Sequence, residues 1–402
     1  MPPAMRTPGL IFCWVLASFY ATAVTAQAAG VFDIRIPSEF NRIVDTNIAV
    51  LTTNATINYW LEGPVWVPGN GGYLVFSAMD ANNRIKKLVP PATVTDFLVP
   101  PANTLFNGNT LDSQERLLSC QAGGAGLRVV MVTTGVVTPL VSTCAGSKFY
   151  SPNDLVVKSD GTVWFTDPGY NGGIGPPPQP GFQGGYYVYR FDPANGNATC
   201  TPVITNLVRP NGLCFSPDES HLYVADSDNS RHHIRLYSVS SSNTLSGGSV
   251  FATIGTGIPD GIRCDTEGRL YSSSANGVWV FMPDGRLIGR IVTPKTVANL
   301  CFGGVDWRTL FITAQPYVLS IRLKVAGAVS LKKMQISAST APSVRVAWPW
   351  PSTGLQLQVS PTLKPGDWTQ VQDAPSVSNG YNIIETNLTN SPAFFRLGQQ
   401  PP

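Results

Sequence analysis

A β-rich unit recurs through the middle of this chain, and such a repeat constrains the fold more than any single motif. Six segments open on an acid or an amide. They are Glu62-Gly63-Pro64-Val65-Trp66, Asn107-Gly108-Asn109-Thr110-Leu111, Asn153-Asp154-Leu155-Val156-Val157, Asn211-Gly212-Leu213-Cys214-Phe215, Asp260-Gly261-Ile262-Arg263-Cys264 and Asn299-Leu300-Cys301-Phe302. Their starts lie 39 to 58 residues apart. A second β-rich segment follows each, such as Val163-Trp164-Phe165-Thr166 or Leu222-Tyr223-Val224-Ala225, with turn chemistry such as Ser159-Asp160-Gly161 in between. Most units add a third and a fourth strand. The pattern predicts an all-β chain, a six-bladed β-propeller with four-stranded antiparallel blades over residues 58–330. Residues 27–57 read as an N-terminal segment that helps close the propeller, and 331–402 as a C-terminal extension packed on it.

The chain starts with a secretory pattern over residues 1–26: Arg6, an apolar run from Leu10 to Tyr20, and small residues ending near Ala26. A secreted, extracellular protein is expected. The apolar run is too short for a comfortable membrane span, and no later stretch replaces it. Removing this segment takes away Cys13 and leaves Cys120, Cys144, Cys200, Cys214, Cys264 and Cys301. An even number in an exported chain favours disulfides, with Cys120–Cys144 the most local pairing. Asn54, Asn197 and Asn387 open glycosylation acceptor triplets. Charged residues make up only 13% of the chain and the formal net charge is +3, which gives no broad basic field for nucleic acid. The oligomeric state is not legible.

Innermost strands of a propeller bring their first residues to one end of a central channel. Here those residues are Glu62, Asn107, Asn153, Asn211, Asp260 and Asn299. Two carboxylates and four amides are all hard oxygen donors. They suit one central divalent cation, Ca²⁺ first, with Mg²⁺, Mn²⁺ or Zn²⁺ as alternatives. The competing reading is that Asn-Gly and Asp-Gly only shape turns entering strands. No nucleophile elbow, zinc-protease helix, dinucleotide fingerprint or phosphate loop is present.

Several motifs in order give the chain a resemblance to the SMP-30/gluconolactonase family, particularly its secreted fungal calcium-dependent lactonases. They are Glu62-Gly63-Pro64-Val65-Trp66, Ser151-Pro152-Asn153-Asp154-Leu155, Arg209-Pro210-Asn211-Gly212-Leu213 and Ile258-Pro259-Asp260-Gly261-Ile262. The resemblance covers roughly residues 55–325 and implies that Glu62, Asn153, Asn211 and Asp260 hold the metal. It implies metal-dependent hydrolysis of a lactone, an aldonolactone or related small cyclic ester, to the hydroxy acid. Asp260 is the leading general base, with Asp154 and Asp226 as weaker candidates. Asn107, Asn299, Trp66, Asp167 and Tyr170 are expected to touch substrate, and the loop from Asn171 to Gly184 to wall the mouth. The alternatives are a phosphotriesterase-like hydrolase and a non-enzymatic ligand-binding propeller. The sequence does not choose the lactone.

Overall fold

The computed structural model describes residues 32–45, 48–53, 60–68, 71–79, 83–91, 93–124, 126–133, 135–170 and 173–328. In the C-terminal part it describes 335–338, 343–349, 355–362, 364, 367–378, 381–387 and 393–399. The signal-like residues 1–26 and the triplet at Asn54 lie outside these. Among the described residues no helix is long and apolar enough to cross a membrane.

Among the described residues of 60–328, six antiparallel sheets of four or five strands and one two-stranded pair carry the strands. The first joins Trp60–Val67, Tyr73–Met79, Arg84–Val89 and Thr93–Leu98. The second joins Thr104–Leu111, Leu117–Gly124, Arg128–Thr133 and Val136–Val141. Leu155–Val157, Val163–Asp167, Tyr187–Phe191 and Thr201–Ile204 make the third. Pro210–Phe215, His221–Asp226, His233–Val239 and Leu245–Thr253 make the fourth. The fifth runs Ile262–Cys264, Leu270–Ser274, Gly277–Phe281, Leu287–Ile291, and takes Phe32–Ile34 as an extra edge strand. In the sixth, Asn299–Gly303, Thr309–Ala314 and Tyr317–Arg322 are joined by Ala49–Thr53.

The expected six-bladed propeller of uniform four-stranded blades is therefore corrected. No sheet closes into a barrel or propeller: each ends at two edges, and strand number varies, with five strands in the fifth sheet and two in the small pair Thr143–Cys144 with Ser147–Lys148. The chain is an all-β assembly of several small antiparallel sheets. The strand ladders stop at each sheet's edge, so side-chain packing and single cross-sheet hydrogen bonds, such as Gly108 N–H to the Asn153 carbonyl at 2.7 Å, join neighbours. First strands of successive sheets lie against one another, and Asn299–Gly303 also packs on Trp60–Val67.

That packing explains the hydrophobic runs. All five residues of Val163–Asp167 and of Leu270–Ser274 are buried, because both faces of a second strand meet a neighbouring sheet. A half-exposed strand would alternate instead. Aromatic rings fill the layers: Trp66 stacks on Phe311 at 5.2 Å, and Trp164 meets Phe215 edge-on at 5.5 Å. The short helix Pro37–Ile43 buries Phe40 and Ile43 against the fifth and sixth sheets. Beyond residue 330, Gln335–Ala338, Ser343–Pro349, Ser376–Ser378 and Tyr381–Asn387 form one sheet. Leu355–Ser360, Thr369–Gln370 and Phe394–Gln399 form another. Val346, Trp348, Leu357 and Ile384 make a separate cluster there.

The expected disulfides are corrected as well. All six cysteines from Cys120 to Cys301 are free thiols. Cys120 and Cys144 share an apolar cluster but are not bonded, and Cys144 turns to a hydrogen bond with Cys200. The sulfurs of Cys214 and Cys264 stand 3.8 Å apart, far beyond the about 2 Å of a disulfide.

Candidate active site

Each first strand starts at the same end of the assembly, and glycine sets how closely the starts approach. A Cβ on Gly212 would lie 2.0 Å from the carbonyl oxygen of Asp260, and one on Gly261 would lie 2.0 Å from Asn299 Oδ1. The glycine after the polar residue is thus a packing requirement between sheets, not only a turn preference. Gly63 and Gly108 face the next strand in the same way.

This approach brings Glu62 and Asp260 together, and their side chains share a hydrogen bond. Glu62 is buried and receives three donors: Trp60 Nε1 on Oε1 at 3.0 Å, and Gly63 N and Asn299 Nδ2 on Oε2 at 3.0 and 3.1 Å. Burial pushes its carboxyl up to about 7, and the Asp154 charge adds to the rise. Asp260 is half-buried and hydrogen-bonds with Asn211. Burial, then the charges of Glu62 and Asp154, hold its carboxyl well above the ordinary aspartate range. Two acids in one desolvated contact cannot both ionise cheaply, so the pair keeps a proton near neutral pH.

Amides surround the pair. The Oδ1 atoms of Asn107 and Asn211 are buried with no hydrogen-bond partner. Asn153 is buried beside them in the fold, its N–H donating to Thr166 and its carbonyl accepting from Gly108. Tyr170 lies at the mouth, its hydroxyl hydrogen-bonded to Ser227 and Asn211 and within the field of Asp260.

The expected cation centre is not supported by this arrangement. Among the described residues no group of three or more His, Cys, Asp or Glu could hold a metal ion. Glu62 and Asp260 spend oxygens on each other and on Trp60, Gly63, Asn299 and Asn211, and Asp154 pairs with Arg263. The assignment of Glu62, Asn153, Asn211 and Asp260 as ligands of Ca²⁺, Mg²⁺, Mn²⁺ or Zn²⁺ is corrected accordingly.

Other candidates sit elsewhere. Asp154 is fully buried, accepts from Leu155 N at 2.9 Å and pairs with Arg263 Nη1 at 3.3 Å. Asp226 accepts the backbone N–H groups of Val208 and Arg209 at 3.2 and 2.8 Å and stands 3.6 Å from His233 Nε2. Asp167 does the same one sheet earlier, accepting from Tyr150 N at 2.7 Å and from Ser151 N. Both hold backbone at the entrance to a first strand rather than facing the mouth. Trp66, expected at the mouth, lies between the first and sixth sheets. It lines a cavity of about 410 Å³ at the opposite end, with Cys214, Arg263, Cys301 and Phe302. It lies further along the strand Trp60–Val67 than Glu62, beyond a shift in pairing register between Glu62 and Val65.

Sequence reasoning missed Arg209 and Arg263, although both stood inside quoted motifs. A charged side chain on or beside an innermost strand, in a chain with 13% charged residues, was the available signal.

Comparison with known proteins agrees with the motifs. The family model described as SMP-30/Gluconolactonase/LRE-like region matches residues 60–315. A gluconolactonase of Zymomonas mobilis is 32% identical over 71% of this chain and 83% of its own. Lactonohydrolase oryL of Aspergillus oryzae is 30% identical over 66% of this chain and 68% of its own. A solved gluconolactonase from Xanthomonas campestris superposes with a TM-score of 0.64 at 33% identity, covering 73% of this chain and 94% of that one. The chain therefore belongs to the SMP-30/Gluconolactonase/LRE-like family and is an enzyme of its lactonase-like hydrolase type.

Proposed function

We propose that the protein hydrolyses small, sugar-derived lactones, with Glu62 and Asp260 as a shared acid–base pair. The observation that carries this is the hydrogen-bonded carboxyl pair beside the unpartnered amide oxygens of Asn107 and Asn211. Those oxygens are acceptors in want of donors, and ring hydroxyls of an aldonolactone supply donors.

Three donors on Glu62 make it the ionised member, so the proton resides on Asp260 at neutral pH. As water attacks the lactone carbonyl carbon, the pair takes one proton from it. As the ring C–O bond breaks, the pair returns one proton to the departing ring oxygen. The sum is addition of water across the acyl–oxygen bond, giving the hydroxy acid. General acid–base catalysis of this kind contributes about 10²–10⁴-fold. Burial holds the Tyr170 hydroxyl above its ordinary range, so it remains a neutral donor for substrate oxygens. The N-terminal pattern around Arg6 and Leu10–Tyr20 supports an extracellular setting for this reaction.

The test is proton release from a panel of five- and six-membered lactones, compared between wild type, Asp260→Asn and Glu62→Gln. Hydrolysis that falls at least about 100-fold in both variants is expected. A folded wild-type enzyme that opens none of the lactones, or variants as fast as wild type, would overturn the proposal.

A further inference from the structure

Arg209 is built into the mouth of this site, yet its charge is unanswered. Its backbone is held on both sides: N–H to Asp226 Oδ1 at 2.8 Å, carbonyl from Ser227 N at 2.9 Å. Its guanidinium lies over the ring of Tyr186 at 4.4 Å and that of Tyr170 at 5.4 Å. Nη1 donates to the Pro168 carbonyl at 2.5 Å. Arginine offers five N–H donors. Among the described residues no other side-chain acceptor is hydrogen-bonded to it, and no carboxylate stands within 4.0 Å. Arg263, Arg269 and Arg322, by contrast, each sit against a carboxylate, from Asp154, Asp265 and Asp306. Asp228 feels the Arg209 charge but is exposed and makes no ion pair with it.

Position gives that charge a use. Arg209 stands two residues before Asn211, whose Oδ1 is buried without a donor. It stacks on Tyr170, whose hydroxyl reaches Asn211 and feels Asp260. Two aromatic faces and a carbonyl fix the guanidinium plane, so little side-chain freedom remains to be lost on binding a ligand. A fixed, planar fork with unused donors matches an oxyanion in bidentate geometry.

We infer that Arg209 is a specificity-determining residue that receives an anionic group carried by the substrate, so that the preferred substrates are lactones bearing a carboxylate. The inference rests on the lactonase reading above and names the substrate class within it. The ring carbonyl lies at the Glu62–Asp260 pair while the remote carboxylate meets Arg209 beside Tyr170.

The experiment compares glucono-δ-lactone, which is neutral, with the γ-lactone of glucaric acid, which carries a free carboxylate. Wild type is expected to favour the acidic lactone in kcat/KM. Arg209→Gln should reduce the ratio of acidic to neutral kcat/KM at least about tenfold, mainly by raising KM for the acidic lactone. Arg209→Lys, which keeps a charge but loses the fork, should fall between. An unchanged ratio in Arg209→Gln, with a thermal midpoint like wild type, overturns the inference and leaves Arg209 as a pin on the Pro168–Tyr170 turn. Calorimetric binding of glucarate to wild type and Arg209→Gln reads the same contact without any turnover. If neither lactone is hydrolysed, the reaction assignment fails, and glucarate binding still decides Arg209: lost in the variant it stands, equal in both it falls.

Discussion

At the scale of single residues, burial decides what each acid does. Glu62 has a folded-state pKa of about 7, above its ordinary 4.5, so the fold prefers its protonated form. Its contribution to stability is present below pH about 4.5 and is lost as pH rises through about 7. Glu62→Gln removes that dependence. Relative to wild type, the variant should gain stability between pH 5 and 8, by up to about 3 kcal/mol, while losing at least about 100-fold in kcat. Denaturant titrations at the two pH values, with initial rates, check both. Wild-type activity should rise with pH through about 7 as the pair loses its second proton. Asp167 shows the opposite use of a buried carboxyl. Also pushed up to about 7 by burial, it still accepts two backbone N–H groups from Tyr150 and Ser151. Asp167→Ala leaves both donors buried and unanswered and should cost about 2–5 kcal/mol in denaturant stability. Asp167→Asn keeps one acceptor oxygen and should cost less.

At the scale of elements, the join between neighbouring first strands is the sensitive point. Gly212 has no room for a methyl group, because the obstacle is backbone, the Asp260 carbonyl at 2.0 Å, not a movable side chain. Gly212→Ala should therefore displace Asp260 from Glu62. The expected result is a fall in kcat of about tenfold or more together with a lower thermal midpoint. Gly135, which has open space around it, is the control: Gly135→Ala carries only the strain of its positive φ of 76° and should leave kcat unchanged. Strand positions were largely legible from sequence. Val163-Trp164-Phe165-Thr166 and Leu222-Tyr223-Val224-Ala225 are local runs of β-formers between turn signals, and both became second strands. Strand number per sheet was not legible, since Phe32–Ile34 and Ala49–Thr53 join sheets more than two hundred residues away in sequence.

At the scale of the whole molecule, residues 60–328 carry the site and the C-terminal sheets carry their own small core. The family match ends at residue 315. Backbone contacts of the repeat region continue to Ala328, whose N–H donates to Cys264. A chain ending after residue 330 should therefore keep kcat/KM within about threefold of full length, measured on the same lactone with a thermal scan as the folding check. Loss of folding in that truncation would show that the C-terminal cluster supports the sheets before it.

The amino-acid sequence by itself determined the β-rich repeat, its turns and the polar residue that opens each unit, because alternation and turn chemistry act over a few neighbouring residues. It also singled out Glu62, Asn211 and Asp260 as candidates. Only the tertiary structure decided what those residues do to each other. Glu62 and Asp260 lie far apart in sequence, yet their side chains share a hydrogen bond. Asp167 and Asp226, which read as pocket acids, turn to backbone N–H groups instead. Trp66, further along the same strand as Glu62, lines the separate cavity and stacks on Phe311. Hydrogen-bond partners and desolvation depend on which sheets pack together, and that packing is a property of contacts distant along the chain, to which local residue patterns are blind.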